Sequence, residues 1–158
     1  MSNTVVNLTE TAQDDLQHGR EVLQKEAQAL LDVAENLGAP FMQAVQTLFE
    51  TKGRVIITGM GKSGHIGAKI AATLASTGTP AYFVHPGEAS HGDLGMITAD
   101  DTVVAISHSG RTKELGDILG YCKRFGVPLI AITGNSDATL GKAGDIVLLD
   151  GVEQEACP

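Results

Sequence analysis

One stretch governs what this chain can fold into: Arg54 to Gly67, reading R-V-I-I-T-G-M-G-K-S-G-H-I-G. Val55, Ile56 and Ile57 form a short β-branched apolar run, the pattern of a strand buried on both faces. Gly59, Gly61 and Gly64 follow, and Ile66, Ala68, Lys69, Ile70, Ala72 and Leu74 then fall into a helical pattern. A strand, a glycine turn and a helix N-terminus in that order make an anion site. Glycines let the backbone approach a ligand closely, and the first helical N–H groups have no internal partner. Two nucleotide loops compete for these glycines, and both fit poorly. Gly59 to Gly64 matches the dinucleotide fingerprint in form, yet that fold places an acid about 20 residues on, at the tip of the next strand. Here that strand ends Ala81-Tyr82-Phe83-Val84-His85, without a carboxylate. Gly61-Lys62-Ser63 resembles the end of a P-loop, but Ile56 stands where that motif needs its first glycine. A simple phosphate-ester site remains.

The rest of the chain builds on this unit. Residues from about Thr9 to Leu37 read as one long helix, with Leu16, Leu23, Ala27, Leu30, Leu31 and Ala34 at three- and four-residue steps. Gly38 and Pro40 stop it. A second helix starts at Pro40, carries Phe41, Ala44, Val45, Leu48 and Phe49 on one face, and closes at Gly53. The long first helix either covers the sheet or forms a subunit interface.

After the first strand and its helix (Ser63 to about Thr77), further strands are expected at Ala81–Val84, Thr102–Ile106, Leu129–Thr133 and Ile146–Leu149. The loop His85 to Met96 is dense in ionisable groups. A helix follows Ser107-His108-Ser109-Gly110-Arg111-Thr112 and runs to about Phe125, and a short helix follows Gly134-Asn135-Ser136-Asp137. Strands alternating with helices imply βαβ units: one doubly wound α/β domain with a five-stranded parallel sheet and a long N-terminal helix. Length agrees, since 158 residues suffice for one sizeable core.

Charge and cysteine usage narrow the setting. A net charge of −8 argues against a broad nucleic-acid footprint. Cys122 and Cys157 lie far apart without a metal or redox pattern, so free thiols in a reducing cytoplasm are expected. No apolar run approaches the roughly 18 residues that span a bilayer, and the polar, acidic start does not read as a signal peptide.

In such a sheet, ligands bind outside the carboxyl ends of the strands. Gly59–Gly64, His85–His91 and Ser107–Thr112 all fall there, one after each of three strands. Ser107, Ser109 and Thr112 place three hydroxyls in a loop that ends at a helix, where they either cap it or cradle a phosphate with the N–H groups from Gly110 onwards. Lys62 or Arg111 can supply positive charge. The candidate proton carriers are Glu88, His91, Glu114 and Glu155, with His65, His85 and His108. A carboxylate beside a phosphate-sugar pocket is suited to proton transfer when burial and phosphate charge raise its pKa.

Four segments, G-M-G-K-S-G-H-I-G, H-P-G-E-A-S-H-G-D-L-G, S-H-S-G-R-T-K-E and E-A-C-P, together resemble the D-arabinose 5-phosphate isomerases. These are bacterial members of the sugar isomerase (SIS) domain family, with a flavodoxin-like or Rossmann-like sandwich. The resemblance runs from about residue 10 to the last. It implies interconversion of D-ribulose 5-phosphate and D-arabinose 5-phosphate through an enediol(ate), without metal or organic cofactor, feeding synthesis of the Kdo sugar of lipopolysaccharide. Lys62, His91, Glu114 and Glu155 match the family's active-site positions. Gly61 belongs to the same glycine motif, and Ser63, Ser107, Ser109 and Thr112 match its phosphate-binding positions, with His108 among them where the family usually has Asn. On this reading Glu155 moves the proton, Lys62 stabilises charge on the enediolate, and Glu114 and His91 assist ring opening or proton exchange between oxygens. The resemblance also implies a homotetramer with sites at subunit interfaces. It implies too that this single domain is truncated at its C-terminus, without the final helix, a histidine from beyond it, or the paired CBS domains of many relatives. Two alternatives stay open: an SIS isomerase for another phosphosugar, and a non-catalytic phosphosugar-binding regulator. Retention of Glu114 and Glu155 favours an enzyme over the regulator.

Overall fold

The computed structural model describes residues 8–151 and Ala156, with side chains described from Ala12 onwards. Its backbone divides into two compact units, and the larger is Leu37–Asp150. The other contains the first helix, α1 (Leu8–Glu35), which is 28 residues long. Leu16, Leu23, Leu30 and Leu31 on α1 are all exposed. Its half-buried positions are Val22, Ala29 and Val33 instead.

The larger unit opens with α2 (Ala39–Glu50), entered through Pro40, whose fixed φ suits the first helical turn. The chain then alternates through β1 (Val55–Gly59), α3 (Gly61–Ser76) and β2 (Ala81–Phe83). A short α4 (Pro86–Ser90) and a 3-10 turn (Asp93–Met96) lead to β3 (Thr102–Ile106). A second 3-10 turn (Lys113–Leu115) runs into α5 (Gly116–Phe125), followed by β4 (Leu129–Thr133), α6 (Thr139–Ala143) and β5 (Ile146–Leu149). All strand pairs are parallel, in the order β2-β1-β3-β4-β5. Val55 faces Ala81 on β2 and Thr102 on β3. This is the doubly wound sheet expected from the strand and helix pattern. Its chain order reverses between β1 and β3, the switch point where such sheets leave a crevice at their carboxyl ends.

Successive strand residues feed opposite cores. Ile56, Val103, Ala105, Leu129 and Ala131 pack with Ala89 of α4, Ile118, Leu119 and Cys122 of α5 and Leu140 of α6. Val55, Ile57, Val104, Ile106 and Ile130 pack with Ala44 of α2 and Ala71 of α3. Every residue of β1 and β3 is buried, as a strand covered by helices on both faces requires.

Two local features depart from expectation. The segment after β2, expected as loop, contains α4 because Pro86 presets its first turn and His85 Nδ1 accepts the Gly87 N–H at 3.2 Å. The helix after the Ser107–Thr112 loop is also delayed: the 3-10 turn comes first, and α5 begins only at Gly116.

Candidate active site

The turn after β1 is shaped by backbone contact. Gly61 has φ +55°, a left-handed conformation that strains a side-chain-bearing residue. A Cβ at Gly64 would lie 2.7 Å from the Gly59 carbonyl oxygen, so that glycine lets α3 rest directly on the end of β1. Lys62 is exposed and Ser63 half-buried beside this turn. Part of the glycine pattern therefore serves helix–strand packing, and Gly61 supplies the turn.

The segment after β3 closes on itself. Ser107 is buried, and its Oγ lies 2.8 Å from Thr112 Oγ1. Ser107 Oγ and the Ser107 carbonyl both accept from the Gly110 N–H, at 3.2 and 3.0 Å. Ser109 Oγ accepts from the Arg111 N–H at 3.3 Å. The floor of the loop is tied to the turn after β4: the His108 carbonyl accepts from Gly134 N–H at 2.9 Å, and the Gly110 carbonyl accepts from Leu140 N–H at 3.0 Å. Within the Ser107–Thr112 pair one hydroxyl proton is spent, leaving the other, together with that of Ser109, to give to a ligand. The hydroxyls thus brace their own loop and keep two O–H donors in reserve. That chemistry suits an anionic oxygen.

Three of the four expected catalytic residues, the cationic Lys62 and the proton carriers His91 and Glu114, stand on three successive segments of this edge. Lys62 follows β1, His91 caps the end of α4 after β2, and Glu114 lies in the 3-10 turn after β3; all three are exposed. Glu155 lies outside the described residues. His85 spends Nδ1 on capping α4, which gives it a structural task.

Two further residues of this edge carry no signature in the sequence. Thr58, at the end of β1, is fully buried, and its Oγ1 has no hydrogen-bond partner among the described residues. Asp150, just past β5, accepts from His108 Nδ1 at 2.8 Å through one carboxylate oxygen, while the other is buried without a partner among the described residues.

The opposite edge differs. A groove of about 520 Å³ runs there, lined in part by Glu50, Asp100, Asp101 and Asp145. Its buried carboxylate, Asp101, is fully engaged, and the exposed Asp145 also holds a backbone N–H. Asp101 accepts from Arg54 N–H and Thr98 N–H, both at 2.7 Å, and Asp145 accepts from Leu129 N–H at 2.9 Å. Among the described residues two titrations are displaced, that of the half-buried Tyr82 and that of the buried Cys122. Burial pushes the Tyr82 hydroxyl up, against the opposing Arg54 charge. Burial, helped by the Asp145 charge, pushes the Cys122 thiol up to about 12.

A model of the SIS domain matches residues 47–156, which spans all three edge segments. The chain belongs to the SIS domain family. It is 52% identical over 145 residues to arabinose 5-phosphate isomerase KdsD of Yersinia pestis and 50% identical to that of Escherichia coli K12. In each case the similarity covers 92% of this chain and 44% of the relative, so the chain spans less than half the length of those curated relatives. Among solved structures, E. coli CFT073 c3406 in complex with arabinose 5-phosphate superposes with a TM-score of 0.86 at 37% identity, covering 99% of this chain and 78% of that one.

Proposed function

We propose that this SIS domain interconverts D-ribulose 5-phosphate and D-arabinose 5-phosphate. The observation that carries the reading is the 52% identity to an arabinose 5-phosphate isomerase across 92% of the chain. The geometry supports it, because a hydroxyl-rich loop and three proton-handling or cationic side chains stand on adjoining strand ends of one sheet edge.

In the proposed step the phosphate is held by the Ser107–Thr112 loop with Gly61 and Ser63, and His108 borders it. A carboxylate takes the proton from C2 of the open-chain aldose. The electron pair moves into the C1–C2 bond as the aldehyde oxygen becomes an enediolate, and the proton returns at C1 to give the ketose. Glu155 is assigned that carboxylate. Lys62 stabilises the enediolate oxygens, a charge that develops on the way to the transition state. Glu114 and His91 open the sugar ring or move the proton between O1 and O2. Side chains alone suffice for this chemistry, so no cofactor is assigned.

The same reading assigns the protein to Kdo and lipopolysaccharide synthesis in the cytoplasm, and to a homotetramer whose sites lie at subunit interfaces. The open leucines of α1 and the exposed Phe41, Met42, Val45 and Phe49 of α2 support self-association, since apolar faces of this kind mark interfaces. Among the described residues no helix is long and apolar enough to cross a membrane.

A substrate panel tests the assignment. Arabinose 5-phosphate and ribulose 5-phosphate should interconvert, while hexose and heptose phosphates react at least about tenfold less efficiently in kcat/KM. A preference for one of the larger sugars would move the protein to another SIS isomerase.

A further inference from the structure

The contact between His108 and Asp150 joins residues 42 positions apart at the ends of β3 and β5. A carboxylate only accepts, so Nδ1 carries the proton and donates to Asp150 Oδ2 at 2.8 Å. Both partners are held by backbone as well. The His108 carbonyl accepts from Gly134 N–H at 2.9 Å and from Thr133 Oγ1 at 3.3 Å, and Asp150 N–H donates to the Thr133 carbonyl at 3.1 Å. Gly134 makes the room: a Cβ there would lie 2.7 Å from Cε1 of the His108 ring and 3.1 Å from Asp150 Oδ1. The ring therefore sits over a glycine, clamped by a carboxylate, in the middle of the Ser107–Thr112 loop.

This clamp is a poor stabiliser. The His108 side chain is 56% exposed and that of Asp150 is 29% exposed, and ion pairs so open to water contribute little to folding. Their geometry is nonetheless fixed from several sides. We propose that Asp150 is a positioning residue: by holding the His108 ring over Gly134 it sets the Ser107–Thr112 loop in the shape that receives the substrate's phosphate. The inference rests on the phosphosugar reading above and adds to it a residue outside the edge motifs. Its effect belongs to ground-state and transition-state binding equally, so it acts on KM and leaves kcat nearly unchanged.

The test is calorimetric titration of arabinose 5-phosphate, and separately of inorganic phosphate, into wild type, Asp150→Ala, Asp150→Asn, His108→Ala, Gly134→Ala and the His108→Ala/Asp150→Ala double variant. Melting curves and steady-state kinetics are recorded on the same samples. Asp150→Ala should weaken both ligands about tenfold and raise KM in parallel, with kcat within about twofold and the melting temperature lowered by no more than about 4 °C. Asp150→Asn should recover most of the affinity, because its amide oxygen still accepts from Nδ1–H. Gly134→Ala should imitate His108→Ala by displacing the ring, and the double variant should bind no more weakly than His108→Ala alone. Unchanged affinity in Asp150→Ala, or losses that multiply in the double variant, would overturn the proposal. Phosphate binding without arabinose 5-phosphate binding in wild type would instead refute the substrate assignment, and the phosphate titrations would still decide the role of Asp150. Failure of wild type to bind either ligand would refute both.

Discussion

At the amino edge of the sheet, Asp101 is 1% exposed and its oxygens accept from Arg54 N–H, Thr98 N–H and Thr98 Oγ1 at 2.7 to 3.0 Å. At the carboxyl edge, Thr58 Oγ1 and one oxygen of Asp150 are buried with no partner among the described residues. Both edges are polar, and the amino edge also has a groove of about 520 Å³. What separates them is how fully the buried polar groups are spent. Carboxylates of the amino edge tie off strand ends and loops, and this is what buried polar groups do when their task is structural. The carboxyl edge keeps hydroxyl protons in reserve and exposes His91 and Glu114. Size and acidity of a groove are therefore poor guides to the chemistry of this molecule.

The contrast is broken most directly by removing the amino-edge anchor. Asp101→Ala strands two backbone N–H groups and a hydroxyl, and should cost about 3–5 kcal/mol in denaturant unfolding. Turnover per folded molecule should stay within about twofold, because the carboxyl edge is untouched. A large loss of turnover with intact stability would erase the distinction between the edges.

The reverse substitution comes next. Glu114→Gln should lower kcat about a hundredfold, typical of a lost general acid–base group, while changing stability by no more than about 0.5 kcal/mol. Steady-state kinetics and urea titration on one preparation give both numbers. A stability loss that exceeds the catalytic loss would make Glu114 a structural residue.

Cys122 sharpens the comparison from the core side. Its thiol should resist alkylation at pH 8 until the protein unfolds. Because its folded pKa lies at about 12 against 9.0 for a free thiol, the folded state holds the proton more tightly. This contribution is fully present below pH 9 and declines as pH rises towards 12. Cys122→Ser or Cys122→Ala should flatten that part of the stability curve. The smallest effect is expected from Thr58→Val, which removes the unpaired buried hydroxyl at nearly constant shape. It should stabilise the fold by about 0.5–1 kcal/mol in thermal unfolding.

The strands were legible in the sequence because they are short β-branched runs with both faces buried. Val55–Ile57, Thr102–Ile106 and Leu129–Thr133 all sit where the apolar pattern places them. The convergence of the candidate loops on one edge was legible for a topological reason: loops after consecutive parallel strands meet at one end of a doubly wound sheet. The short α4 was hidden, since its start depends on one proline and one ring nitrogen rather than on periodicity. Asp101 and Asp150 were hidden too. Asp150 meets His108 42 positions away and Asp101 meets Arg54 47 positions away, pairings that leave no local spacing to read; only the Asp101 bonds to Thr98 are local. The hydroxyls of Ser107 and Thr112 were correctly placed on the edge, but their mutual bond shows that bracing the loop and presenting donors to a ligand coexist in the same side chains.

Deuterium uptake at C2 of arabinose 5-phosphate in D2O, followed by NMR, tests most directly the claim that this edge moves a proton. Exchange at C2 should accompany formation of ribulose 5-phosphate, with both suppressed about a hundredfold in Glu155→Gln, the variant of the carboxylate assigned to the C2 proton. Saturable binding of the sugar phosphate by wild type with no exchange at C2 would contradict it, and would make the domain a phosphosugar receptor rather than an isomerase.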